Sequence, residues 1–129
     1  MSNRKSRREF MGQSAALSAG VWLGTSVANR THASPLQGLS AACVGVGGKG
    51  SSDTSHIAEQ GVNIVGLCDV DKATLTKKGR EFESAEQFQD YREMIDKLGD
   101  KVDIVTVSTP DHNHACAAMQ AMKLKKNVY

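Results

Sequence analysis

The glycine-rich turn at residues 45–50 constrains the fold of this chain more than any other feature. Its sequence, Gly-Val-Gly-Gly-Lys-Gly, follows the apolar run 39–46, and Asp69 comes nineteen residues after its last glycine. Asp69 directly follows a second apolar segment, 64–68. A strand, a glycine turn, a helix and a second strand ending in an acid occur in this order in dinucleotide sites. The sequence therefore predicts an α/β fold with a Rossmann-like, doubly wound parallel sheet.

The glycines of the turn suit contact with a pyrophosphate. Gly45 permits the tight turn, Gly47 lets backbone approach the pyrophosphate, and Gly50 lets the following helix pack close to the strand. Unpaired N–H groups at the helix N-terminus would then bind the anion. Asp69 would accept hydrogen bonds from both hydroxyls of the adenosine ribose and repel a 2′-phosphate, which favours NAD over NADP.

Two other interpretations of the same motif stay open. A glycine turn can be purely structural, because hairpins and flexible loops produce the pattern by chance. A methyltransferase also ends its second strand on an acid that holds a ribose. Its turn more often reads GxGxG, however, and Lys49 occupies the fifth position here. The segment 108–111 also lacks the Asn/Asp-Pro-Pro-aromatic signature that such enzymes often carry.

The N-terminus has the pattern of an export signal. An uncharged, weakly apolar stretch, 14–28, follows four basic residues, Arg4, Lys5, Arg7 and Arg8. Residues 6–11 resemble the twin-arginine export motif, and small-x-Ala cleavage sites end at Ala28 and Ala33. We therefore predict a signal peptide over 1–33, the twin-arginine translocase as a partner, and a periplasmic location. A membrane anchor or a disordered basic tail is the alternative.

The basic charge of the chain belongs largely to this leader. The whole chain carries 16 basic and 14 acidic residues, a formal charge of +2. Residues 1–33 hold five of the basic residues and one acid, which leaves a charge of −2 on residues 34–129. That part has no cluster of Lys and Arg with interleaved aromatic residues, so we expect no nucleic-acid partner.

The cysteines and histidines do not form a recognisable metal or redox motif. Cys43 and Cys68 lie in apolar strands and Cys116 on a predicted helix, and no CxxC pair occurs, so buried free thiols are expected rather than a disulfide. His112 and His114 lack the spacing and company of a zinc site, and no metal is predicted.

Strands and helices alternate along the rest of the chain. The first predicted helix has Ser52 or Asp53 as its cap, runs to about residue 60 and is ended by Gly61. The second spans 72–82 with Asp71 as its cap, and the third spans 91–98 with Asp90 as its cap and Gly99 as its stop. The fourth spans 115–124. The remaining predicted strands are 87–89, 102–107 and 127–129. The loop 108–114 is a second candidate site, because ligands of open α/β sheets bind at the carboxyl ends of strands.

Residues 39–129 resemble the N-terminal part of the Gfo/Idh/MocA oxidoreductases. The resemblance rests on the glycine turn, on Cys68-Asp69-Val70-Asp71, on the segment 90–94 (Asp-Tyr-Arg-Glu-Met), and on Thr-Pro-Asp-His-Asn-His at 109–114. It implies hydride transfer between nicotinamide and a secondary alcohol or a cyclic hemiacetal carbon of a sugar, polyol or related compound.

The resemblance also implies a set of cofactor-binding residues. Gly45, Gly47 and Gly50 would hold the pyrophosphate and Asp69 the adenosine ribose. Thr109 and Pro110 would lie along the cofactor, with His114 near the nicotinamide-side ribose or packed beneath the loop. Gly48, Lys49 and Ser108 complete the predicted set. Helix capping and loop packing are the expected roles of His112 and His114, and no catalytic residue is predicted in this chain.

Members of the family continue beyond the last strand. They contain a Glu-Lys-Pro motif whose lysine assists proton transfer, followed by an α/β domain with an open antiparallel sheet that supplies substrate contacts. Because the sequence ends at Tyr129, we predict an incomplete nucleotide-binding domain, without the substrate domain through which a homo-oligomer would form. The alternative is a nucleotide-binding remnant without catalytic activity.

Overall fold

The computed structural model describes residues 35–129. The predicted signal peptide and its two candidate cleavage sites, at Ala28 and Ala33, lie outside the described residues. Within the described part, no helix is both long enough and apolar enough to cross a membrane.

The described residues form one parallel sheet with helices between its strands, which confirms the predicted fold. The five strands are β1 Ser40–Val44, β2 Asn63–Cys68, β3 Glu86–Phe88, β4 Ile104–Val107 and β5 Asn127–Val128. The four α-helices are α1 Lys49–Glu59, α2 Lys72–Gly79, α3 Tyr91–Leu98 and α4 Asp111–Lys123, and a short 3₁₀ helix spans Gly99–Lys101. The strand order is β3-β2-β1-β4-β5, and every neighbouring pair is parallel.

The pairing register brings three strand ends to the same edge of the sheet. Val44 of β1 pairs with Cys68 of β2 and with Val107 of β4. The loops that follow these three strands therefore begin side by side. From β1 the sheet extends to one side through β2 and β3 and to the other side through β4 and β5. The strand order therefore reverses between β1 and β4, and sheets of this type bind ligands at that switch point.

Two hydrophobic cores cover the two faces of the sheet. Along β1 the side chains alternate, so that Ala42 and Val44 join a cluster that contains Met94 of α3. Ala41 and Cys43 join the opposite cluster, to which α2 contributes its buried Leu75. Burial on both faces explains why β1 and β4 are continuously apolar or uncharged rather than alternating.

Two of the helices begin earlier than the sequence predicted. Helix α1 starts at Lys49 and has Gly48 as its N-cap, without any side-chain cap. Ser52 and Asp53 were therefore wrongly expected to be caps and lie within the first turns of α1. The positive φ of Gly48, 48°, lets the glycine turn lead directly into the helix, so no capping side chain marks its start.

Helix α4 starts at Asp111 rather than at residue 115, and Pro110 is its N-cap. Proline fixes a backbone angle that suits a helix start, and the acid in the first turn favours the helix dipole. Residues 111–114, which were expected to be a loop, are the first turn of this helix.

The capping predictions at α2 and α3 are confirmed. The Asp71 carboxylate accepts hydrogen bonds from the N–H groups of Ala73 and Thr74, and that of Asp90 accepts one from Arg92. Helix α2 ends at Gly79, three residues before the predicted end. The α-helical segment of α3 ends at Leu98 as expected, although Gly99 has a right-handed backbone and continues into the 3₁₀ helix.

The three cysteines are free, and their environments differ. Cys43 and Cys68 are buried in β1 and β2 as expected, whereas Cys116 on α4 is exposed, so the expectation of burial was wrong there. Burial, followed by the charges of Asp69 and Asp90, raises the pKa of the Cys68 thiol to about 12. Burial also raises the pKa of Cys43. Both buried thiols therefore stay protonated and unreactive at neutral pH.

Candidate cofactor-binding site

A cleft of about 410 Å³ lies at the carboxyl ends of β1, β2 and β4. The loops that follow these three strands begin at this edge of the sheet. Its lining residues come from four separate segments of the chain: Val44, Gly45, Gly47, Cys68, Asp69, Val70, Gln89, Tyr91, Ser108, Thr109, Pro110, His112 and Asn113.

The glycine turn is packed too closely for side chains at its first and last positions. Gly45 has a φ of +79°, and a Cβ on it would lie 2.8 Å from the carbonyl oxygen of Ser108. A Cβ on Gly50 would lie 1.8 Å from the carbonyl oxygen of Gly45. The start of α1 is therefore pressed against the end of β1, which is the role predicted for the last glycine of the motif.

The Asp69 carboxylate joins the glycine turn to the end of β2. Its Oδ2 atom accepts hydrogen bonds from the N–H groups of Val46, at 2.9 Å, and Gly47, at 3.1 Å. Its Oδ1 atom accepts one from the N–H of Asp71, at 2.9 Å. The sequence predicted a ribose-binding acid at this position, but nothing in the sequence indicated that it would also bind the turn.

A second polar network joins the start of α1 to the end of β4. The Ser108 hydroxyl donates to Oδ2 of Asp53 at 2.9 Å, and the Lys49 ammonium donates to Oδ1 at 2.6 Å. The side chain of Asp53 is 10% exposed, whereas that of Lys49 is 76% exposed. The hydrogen bond from Lys49 lowers the pKa of Asp53 and raises that of Lys49. Both groups are therefore charged across the physiological range.

The Thr109 hydroxyl is the clearest sign that the cleft is built for a ligand. Its Oγ1 atom is buried and has no hydrogen-bond partner among the described residues. Leaving a buried hydroxyl unpaired costs about 1 to 3 kcal/mol. A polar group of a ligand in the cleft, which Thr109 lines, would supply the missing partner.

The other end of the cleft offers an apolar surface with amide groups beside it. Val70 is 83% exposed although it is a large aliphatic residue, and it lines the cleft together with Pro110 and Tyr91. The Gln89 amide donates to the carbonyl oxygen of Val70, which fixes the loop after β2. An exposed aliphatic side chain next to amides suits a flat heteroaromatic ring.

The predicted site residues divide into three groups by position. Six line the cleft: Gly45, Gly47, Asp69, Ser108, Thr109 and Pro110. Gly48, Lys49 and Gly50 form the cap and first turn of α1 beside it. His114 is exposed on α4 and is not among the lining residues, so its contact with a cofactor stays a prediction.

Seven lining residues lie outside the predicted cofactor-binding set, among them two residues of α4 that belong to the predicted candidate loop 108–114. His112 and Asn113 face the cleft because α4 begins at Asp111 and its first turn lies over the end of β4. Placing the start of the helix directly after Pro110 would have identified them. Within residues 35–129, no group of three or more potential metal ligands occurs.

The residues of the cleft fit a dinucleotide. The turn leaves no room for side chains at Gly45 and Gly50. Within residues 35–129, no side chain caps the N–H groups at the start of α1, and the Thr109 hydroxyl has no hydrogen-bond partner. Unsatisfied N–H groups at a helix start bind anions such as a pyrophosphate.

The sequence model described as "Oxidoreductase family, NAD-binding Rossmann fold" matches residues 39–129. The chain belongs to the Gfo/Idh/MocA oxidoreductase family. Membership of this family rules out the methyltransferase interpretation of the glycine turn and establishes these residues as an NAD-binding domain of Rossmann type.

Solved structures of full-length oxidoreductases share the fold. GenD2 from gentamicin A biosynthesis, solved in complex with NAD, is 26% identical with a TM-score of 0.65, over 71% of this chain and 26% of its own. Myo-inositol 2-dehydrogenase from Lactobacillus plantarum is 29% identical with a TM-score of 0.62, over 70% and 26%. An NAD binding oxidoreductase from Klebsiella pneumoniae is 27% identical with a TM-score of 0.57, over 70% and 26%.

These similarities cover one domain of the larger proteins. The chain spans about a quarter of the length of each of these three structures. No curated protein matches the chain. A nicotinamide cofactor is therefore supported, whereas the activity of the whole protein belongs to the proposal below.

Proposed function

We propose that this chain is the NAD-binding part of an exported oxidoreductase that acts on a hydroxyl-bearing carbon of a sugar, a polyol or a related alcohol. The observation that carries the choice of NAD is the position of Asp69, whose carboxylate is held at the cleft by three backbone N–H donors. Ribose hydroxyls can donate to such a carboxylate, whereas the negative charge of a 2′-phosphate would be repelled.

The residues of the cleft bind and orient the cofactor rather than react. The start of α1 supplies N–H groups for the pyrophosphate, and the buried Thr109 hydroxyl supplies a hydrogen bond beside it. Bound NAD would supply the hydride acceptor of the reaction. Among the described residues no lysine lines the cleft, and His112 is the one histidine of its lining. We assign no catalytic residue within residues 35–129.

The class of substrate is supported by the similar structures. Myo-inositol 2-dehydrogenase is named for a polyol substrate, and it is 29% identical to this chain over the shared domain. The alternative is a chain that binds the nucleotide without turnover. Reduction of NAD in the presence of polyols or sugars, measured with this chain joined to the predicted substrate domain, separates the two, because a protein without turnover binds NADH but produces none.

Titration with NADH and NADPH tests the cofactor proposal. We expect NADH to bind at least tenfold more tightly than NADPH, because the additional phosphate would lie against the Asp69 carboxylate. Equal or tighter binding of NADPH would contradict the proposed preference for NAD, and failure to bind either nucleotide would contradict the proposed function.

Substitution of Thr109 tests whether the unpaired hydroxyl serves the nucleotide. Thr109→Val keeps the shape of the side chain and removes its polar atom. It should weaken NADH binding about fivefold, since a hydrogen bond contributes about 1 kcal/mol, while stabilising the free protein. Thr76→Val, at an exposed position of α2 outside the cleft, is the matched control. Equal NADH affinity in the two variants would refute this role for Thr109.

The export proposal has a separate test. We propose that residues 1–33 direct the protein to the periplasm through the twin-arginine translocase, as the pair Arg7-Arg8 and the uncharged stretch 14–28 suggest. A fluorescent reporter fused after Ala33 should reach the periplasm, and replacing Arg7 and Arg8 together with lysine should retain it in the cytoplasm. Export that is unchanged by the double replacement would contradict this route.

A further inference from the structure

We infer that Asp69 has a second role: in the nucleotide-free protein it holds the glycine turn in its binding conformation. The inference deepens the proposed function, because the turn is the proposed pyrophosphate site. It begins from two hydrogen bonds that span more than twenty residues of sequence, from the N–H groups of Val46 and Gly47 to Oδ2 of Asp69.

These hydrogen bonds divide the N–H groups of the turn into two sets. The first set is already engaged: Gly45 donates to the carbonyl of Cys68, and Val46 and Gly47 donate to Asp69. The second set, at Gly48, Lys49 and Gly50, has no hydrogen-bond acceptor within residues 35–129. The engaged N–H groups fix the turn to β2, and the unengaged ones are left for an anion.

The middle of the turn is held less firmly by packing than its start. The side chain of Val46 is buried in the core, whereas Gly47 and Gly48 have no side chains that could pack, and a Cβ at Gly48 would meet no atom within 4 Å. Glycine backbone has the largest conformational freedom of any residue, so a hydrogen bond to this part of the turn restricts it most. The carboxylate of Asp69 supplies the contact, and its own direction is fixed by the N–H of Asp71.

The double role has a consequence for cofactor selectivity. A residue that only repelled a 2′-phosphate could be replaced by a small neutral residue to admit NADP. A residue that also holds the turn cannot, because its removal frees the backbone that must bind the pyrophosphate of either nucleotide. Asp69→Ser should therefore weaken NADH binding at least tenfold without bringing NADPH to the affinity that the parent has for NADH.

Hydrogen exchange of the nucleotide-free 129-residue chain tests the tether directly. In Asp69→Ala, the amides of Val46 and Gly47 should exchange at least tenfold faster relative to the amide of Gly45. Gly45 is the internal reference, since it lies in the same turn and donates to a backbone carbonyl that the substitution leaves in place. A change of less than twofold in these ratios would overturn the inference and show that burial protects the amides.

Asp71→Ala is the matched control for a lost carboxylate. Asp71 caps α2 through Ala73 and Thr74, and among the described residues its carboxylate accepts no hydrogen bond from the turn. The Asp71→Ala variant should leave the exchange rates of the Val46 and Gly47 amides, relative to that of Gly45, unchanged. A rise in these relative rates equal to that in Asp69→Ala would contradict a specific tether. Failure of the parent to bind NADH would refute the proposed function, whereas the exchange ratios judge the tether without any nucleotide.

Discussion

Replacing Gly50 with alanine tests the close packing on which the site depends. The added Cβ would lie 1.8 Å from the carbonyl oxygen and 2.8 Å from the carbonyl carbon of Gly45. Ordinary contacts of a Cβ begin at 3.4 Å, so the start of α1 and the end of β1 would have to separate by roughly 1.6 Å. Both groups are backbone, and no flexible side chain can move aside.

The expected loss of stability follows from this overlap. Overpacking costs about 1 to 3 kcal/mol, and the upper value applies here because the backbone must move. Alanine recovers up to about 1 kcal/mol relative to glycine within a helix. The net loss is therefore about 2 kcal/mol, which corresponds to a melting temperature lower by roughly 8 to 16 °C for a domain of this size.

Unfolding by urea, followed by circular dichroism, measures the change. Gly99→Ala is the matched control, because Gly99 has a right-handed backbone and a Cβ there meets no atom within 4 Å. The control should leave stability unchanged or raise it by up to about 1 kcal/mol. If the free energies of unfolding of the two variants agreed within about 0.5 kcal/mol, the packing argument would be refuted.

Two further predictions concern charged and reactive groups. The Lys49 ammonium lowers the pKa of Asp53, so this interaction stabilises the fold above the ordinary carboxyl pKa near 4 and is lost as the pH falls through the lower folded value. Asp53→Asn should therefore be less stable than the parent at pH 7 in urea unfolding and converge with it towards about pH 2, whereas a difference that does not change with pH would contradict the ionic interaction. Ellman's reagent at pH 8 should react rapidly with one thiol of the folded chain, at the exposed Cys116, and with none in Cys116→Ser. Two rapid thiols in the parent would show that Cys68, with its pKa raised to about 12, is not protected as the fold implies.

Local signals predicted most of the secondary structure correctly. The caps at Asp71 and Asp90 and the β-branched run that forms β4 act over a few residues, so they can be recognised without knowledge of the fold. The errors at the helix starts occurred where no capping side chain among the described residues marks the start. Helix α1 follows a glycine turn without a capping side chain, and α4 follows Pro110 directly.

The arrangement of the candidate site was only partly predictable. The sequence placed the glycine turn, Asp69 and the 108–110 segment at strand ends, because the strand-turn-helix order of a parallel sheet puts every such loop at one edge. It named the loop 108–114 as a candidate site but not His112 and Asn113 as cofactor-binding residues, because it placed the start of α4 at residue 115 rather than directly after Pro110.

The amino-acid sequence by itself determined the alternating strands and helices, the glycine turn and the acid at the end of β2, because these follow from backbone preferences and the spacing of apolar residues. Only the tertiary structure decided what the polar groups contact. The Asp69 carboxylate accepts hydrogen bonds from the turn, Ser108 donates one to Asp53 across 55 residues, and the Thr109 hydroxyl has no hydrogen-bond partner within residues 35–129. These contacts depend on the pairing of β1 with both β2 and β4, which brings distant segments together and has no local signature.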